Sequence, residues 1–201
     1  MKNRILKYYH SFINETPPTI RAFLRNALIV FALWKLTYLF ILLDDRILDR
    51  PLTNHVGAGT VWFLNYCTPL EGFNAIPVIK QEAFEGQLRI REVSQVVHQG
   101  KDILLIADGC NGLELIVLYI GFIICFPSSI LKKIIFILLG IGIIDLSNII
   151  RCGGLVFLKR YYGYDLFQFA HHYGFKITLY SIIFMMWVLF TKNIKIKNSA
   201  I

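Results

Sequence analysis

Residues 132–158, KKIIFILLGIGIIDLSNIIRCGGLVFL, form an apolar run long enough, as a helix rising about 1.5 Å per residue, to cross a hydrocarbon core of about 30 Å. Runs at about Asn26–Leu43 and about Phe175–Thr191 also reach spanning length, and Asn111–Phe126 sits at the short end of the range. Hydrophobic residues make up 56% of the 201-residue chain, and the mean hydropathy is +0.56. Lipid is therefore the expected solvent for most of it. The N-terminal twenty residues are polar and basic, and the first apolar run carries no small-residue cleavage site. That run is expected to stay as an anchor instead of leaving as a signal peptide.

The net charge of +8 collects beside the apolar runs and not along one soluble face, which argues against a nucleic-acid partner. Lys2, Arg4, Lys7, Arg21 and Arg25 precede the first run, Lys132 and Lys133 open the third, and Lys192, Lys195 and Lys197 follow the last. The positive-inside rule places all three groups in the cytoplasm, which requires an even number of crossings. Four runs satisfy it, giving an all-α polytopic membrane protein of about four transmembrane helices. Val56–Leu70 is too short and polar to span comfortably and is expected to be an interfacial or re-entrant helix, with Trp62 and Tyr66 near headgroup depth. In GQLRIREV (86–93) Leu88, Ile90 and Glu92 alternate with Arg89 and Arg91, and KDILLIAD (101–108) is a short apolar run bounded by charge; together they predict a small extracytoplasmic β-hairpin. The chain reads as one membrane domain over 1–201: a basic cytoplasmic segment 1–25, an extracytoplasmic insertion 44–109, and helices 110–191.

Four cysteines, Cys67, Cys110, Cys125 and Cys152, show neither a CxxC pair nor zinc spacing, so no disulfide framework, metal or cofactor is expected. With four crossings, Cys110 lies at the outer end of the second spanning helix. Arg151, nineteen residues after Lys132, lies about 29 Å further along its helix and reaches the same boundary. His171 and His172 follow in the next outer loop, residues 159–172. Singly, each has a plain explanation: a small buried hydrophobe, a snorkelling cation, an interfacial amphipath. One thiolate site explains all three together. A neighbouring cation raises the thiolate fraction of a thiol whose ordinary pKa is about 8.5, histidine can carry its proton, and the arginine fork can hold an oxyanion or a carboxylate. Gly109 and Gly112 let a substrate backbone approach the sulfur. Asn148 shares the Arg151 face, and Glu114 or Asp145 is expected to neutralise Arg151 within the bundle.

GCNGLE at 109–114, NIIR at 148–151 and HHYGFKITLY at 171–180, in that order, resemble the exosortase and archaeosortase family of membrane-embedded transpeptidases. The resemblance covers about residues 55–190. It implies a Cys–Arg–His site on the outer face of a bacterial cytoplasmic membrane, with Cys110 as nucleophile, Arg151 as the motif arginine and His171 as the histidine. It also implies substrates that are exported proteins with a C-terminal sorting signal (a short motif, a transmembrane helix and a basic tail) and transfer of the acyl group to a surface lipid or polysaccharide. Where the family often reads Cys-Ser-Gly-Leu-Arg, this chain has Glu114 in the arginine's place, a charge reversal that bears on substrate recognition. His172 stands beside His171 as the alternative match. Two other readings remain open: a non-catalytic membrane assembly protein, and a metal- or haem-binding membrane protein using His171 and His172. Adjacent helical histidines point about 100° apart, which disfavours the last.

Overall fold

The structure, a computed structural model, describes residues 16–84 and 87–192. The expected cytoplasmic cations Lys2, Arg4, Lys7, Lys195 and Lys197 lie outside the described residues, as do the side chains of Leu88 and Arg89. Helix α1 (Pro18–Thr37) starts on a proline pair, which suits the first helical turn, and runs on through one wide π turn, Tyr38–Leu42, to Asp45. Arg46, with φ of 51°, ends it. Then come α2 (Asp49–Cys67), strands β1 (Phe73–Phe84), β2 (Gln87–His98) and β3 (Lys101–Ile106), and a 3₁₀ turn, Asp108–Cys110. The chain closes with α3 (Leu113–Cys125), α4 (Ile130–Tyr161), α5 (Tyr164–Phe169) with a second π turn at Ala170–Gly174, and α6 (Phe175–Thr191).

Three stretches have the length and apolarity to cross a membrane: Ile20–Leu42, Ile130–Tyr161 and Tyr164–Thr191. The fourth expected crossing, α3, has 13 residues and about 20 Å of axial length, short of a 30 Å core. Its ends nonetheless fix a direction. Phe23 near the start of α1 packs edge-on against Phe126 just after α3, Lys133 donates to the Ile124 carbonyl, and Lys132 to the Lys192 carbonyl. Arg21, Arg25, Lys132, Lys133 and Lys192 thus gather at one end of the bundle, and the sheet and the Asp108–Cys110 turn lie at the other.

The expected hairpin is the β2–β3 pair of a three-stranded antiparallel sheet with order β1-β2-β3. Strand β1 was not legible because Pro77 sits in its middle; the strand tolerates it as the sheet's edge. Gln99 and Gly100, both at positive φ, close the two-residue β2–β3 turn, and Ile103 is the extra residue of a bulge in β3. The expected interfacial helix is longer than predicted, starting at Asp49. Its buried face, Asp49, Thr53, Val56, Gly57, Thr60 and Leu64, follows helical spacing and lies between the sheet and α4, while Trp62 and Tyr66 are exposed. A Cβ on Gly57 would stand 2.0 Å from the Ser94 hydroxyl, so only glycine lets the helix seat this closely on β2.

Candidate active site

The nucleophile candidate sits where a strand hands over to a helix. After β3, the Cys110 amide donates to the Ala107 carbonyl (2.8 Å), and Asn111 accepts from the Leu113 amide through its side chain (2.9 Å), satisfying a donor at the start of α3. Gly112 adopts φ of 84°, a conformation costly for any residue with a Cβ, and a Cβ there would meet the Asn148 amide at 3.3 Å. Both flanks of Cys110 are tied down by buried carboxylates. Asp108 accepts from Arg46 in a two-bond fork, from Arg91 of β2 (2.7 Å) and from Thr53 of α2 (3.0 Å). Asp49 accepts from Asn111 (2.9 Å) and from the Tyr38 hydroxyl (3.0 Å). Two arginines converge on Asp108 while Asp49 is met by neutral donors, and such a buried set is stable only with its partners in place.

The three residues expected to converge do so. His171, carried on the π turn between α5 and α6, places Nε2 3.9 Å from Cys110 Sγ, within reach of an S–H···N bond, and its ring lies parallel to Phe167 at 5.9 Å. With Nε2 as acceptor, the other ring nitrogen carries the proton. Asn148, 1% exposed, donates to the Cys110 carbonyl (2.9 Å) and accepts from Arg151 Nη1 (3.0 Å), so one side-chain amide sets the spacing between sulfur and guanidinium. Arg151 Nε is buried without a partner among the described residues. Cys110, Arg151, His171 and His172 line one cavity of about 400 Å³ together with Glu114, Lys176 and Tyr180. Of the other cysteines, Cys125 and Cys152 are buried and Cys67 is exposed, and none lines this cavity.

The expectation that Glu114 or Asp145 neutralises Arg151 is not met: among the described residues no carboxylate pairs with it. Asp145 lies nearly two turns earlier on α4 and faces α2, where its Oδ2 is 2.9 Å from His55 Nε2. Glu114 lines the cavity without a hydrogen bond or ion pair among the described residues. His172 is exposed, its ring 5.1 Å from that of His171. No group of three or more His, Cys, Asp or Glu among the described residues is arranged to hold a metal ion. Sequence reasoning missed Asp108, Asp49, Arg46 and Arg91. In a stretch read as a soluble insertion, charges pass for solvated ones, and the one available signal was an aspartate directly before Gly109-Cys110.

No curated protein and no solved structure matches the chain. The family model described as Transmembrane exosortase (Exosortase_EpsH) matches residues 18–189, from the start of α1 almost to the end of α6 and across every residue of the cavity. The chain is a member of the transmembrane exosortase family, whose membership supports a membrane transpeptidase kind of function.

Proposed function

We propose that the protein cleaves the C-terminal sorting signal of exported proteins through a thioester on Cys110 and passes the acyl group to a lipid or polysaccharide acceptor at the cell surface. The observation that carries this reading is the 3.9 Å approach of Cys110 Sγ to His171 Nε2 beside an arginine whose Nε–H has no partner among the described residues. His171 takes the thiol proton as the sulfur adds to the scissile carbonyl carbon, and the carbonyl electron pair moves to oxygen. Arg151, its position set by Asn148, offers a guanidinium to that oxyanion. Collapse expels the amine, which leaves with the proton from His171, and a thioester remains. The acceptor's hydroxyl or amine then adds to the thioester and gives its proton to His171. The C–S bond breaks, and the proton returns to the thiolate. The cluster of cations at the opposite end of the bundle supports an orientation with that end in the cytoplasm and the cavity on the outer face of a bacterial cytoplasmic membrane.

The test is processing of a co-expressed protein ending in a short motif, an apolar helix and a basic tail, normalised to enzyme in the membrane. Cys110→Ala should leave the substrate uncut, while Cys67→Ala should process it as the wild type does. Normal processing by Cys110→Ala would end this reading.

A further inference from the structure

Glu114 borders three spaces at once: the cavity described above, a smaller one of about 60 Å³ toward Tyr38 and Asp49, and an apolar groove of about 300 Å³ between α1 and α3. The groove is walled by Val30, Phe31, Trp34 and Lys35, a cation already engaged within the protein, on one side and by Leu118 and Gly121 on the other, with Tyr180 of α6 at its junction with the cavity. Its rim is bare: Phe31 is 62% exposed and Leu118 46%. Helix α3, which forms the second wall, is about 20 Å long.

We propose that the groove between α1 and α3 seats the transmembrane helix of the sorting signal, and that Glu114 selects a basic residue where that helix meets the scissile peptide. The proposal rests on the transpeptidase reading, since it is the continuity of groove and cavity that would place the scissile bond at Cys110. A helix with its side chains is about 10–12 Å across and cannot enter 300 Å³, but it can lay a ridge of side chains into a groove with a glycine in its wall. The charge choice follows from the surrounding bonds. Asp108 and Asp49 are fully engaged by protein donors, whereas Glu114 is exposed and has no bond among the described residues. A carboxylate in the first turn of a helix gains from the helix dipole whether or not anything binds it, but that gain does not require a place at the meeting point of three cavities. Arg151 and Lys176 line the deeper cavity and not the groove, and their charge would keep a cation held at Glu114 from going further.

The experiment uses the full-length Cys110→Ala protein in lipid nanodiscs and three fluorescent peptides, each an apolar helix of about 20 residues preceded by Lys, Gln or Glu. Binding should follow Lys, then Gln, then Glu, with about tenfold between the extremes, and adding Glu114→Lys should invert the order. Gly121→Phe, which fills the groove, should weaken all three peptides without changing their order. A photocrosslinker at position 118 keeps the test open if Gly121→Phe does not fold: it should capture peptide, while one at position 138 on lipid-facing α4 should not. The same order in Glu114 and Glu114→Lys proteins, or capture at position 118 of lipid or a second copy of the chain in place of peptide, would overturn the proposal. Cleavage is scored separately on protein with Cys110 intact: peptides that bind in the expected order yet are never cut would refute the transpeptidase reading and leave the docking site standing.

Discussion

Both ends of the bundle bury apolar side chains, and the end that carries Cys110 adds buried charges to them. Toward the basic end, Tyr119, Ile123, Ile144, Ile183, Met186 and Phe190 form a core in which the Tyr119 hydroxyl donates to the Phe136 carbonyl (2.8 Å). At the end that carries Cys110, the chain buries Asp108 at 4% exposure, Asp49 at 2%, Arg91 at 4% and Arg46 at 9%. The apolar end is held by fit, and fit degrades gradually as methyl groups are removed. The charged end is held by matched partners, and losing one leaves an uncompensated charge in a low-dielectric site. The added charges fix the turn that bears the sulfur. The turn that bears Cys110 is bolted on both sides to α2 and to the segment that ends α1.

Four substitutions would break or sharpen this contrast. Asp108→Asn should have the largest effect on stability, about 3–5 kcal/mol, because it removes the carboxylate charge that two buried guanidinium groups share; unfolding in mixed micelles measures it, and a loss below that of Ile144→Val would erase the contrast. Arg151→Lys should leave folding and insertion intact while lowering the processing rate on the order of 10²–10³-fold, since lysine keeps the charge and loses the fork that reaches Asn148 and, under the proposed mechanism, the oxyanion. Near-normal processing would return Arg151 to a snorkelling cation. Ile144→Val, in the fully buried apolar core, should cost about 0.5–1.5 kcal/mol in the same unfolding measurement and leave the rate unchanged. Arg50→Gln should do least. Its bonds to Glu92 hold that carboxyl below its usual pKa of 4.5, so whatever they contribute is present at neutral pH and is lost as pH falls through the depressed value. At a surface pair, the unfolding midpoint at pH 7 should barely move.

Cys110, Arg151 and His171 were legible in the sequence because each is an unusual residue type at the end of an apolar run, and helix length alone put the first two at one depth. Their partners were hidden for the opposite reason. Strand β2 shows a clear period of two, but its apolar and charged positions face the unexpected way: Ile90 is 72% exposed and Arg91 is buried against Asp108. A hydrophobic pattern predicts which face is buried only when the buried face is apolar, and here the charged network of the site takes that place. Arg46 was illegible because its role depends on a left-handed turn after α1, and the Asp145–His55 tie because it joins residues ninety apart.

The thiolate chemistry is tested most directly by looking for its intermediate. Enzyme and substrate are mixed, quenched in acid, digested and mapped by mass spectrometry. A Cys110 nucleophile requires the substrate fragment upstream of the cut to appear as a hydroxylamine-labile adduct on the peptide containing Cys110, and to vanish in Cys110→Ala. Substrate cut with no adduct at Cys110, or with the adduct on Cys67, would contradict it.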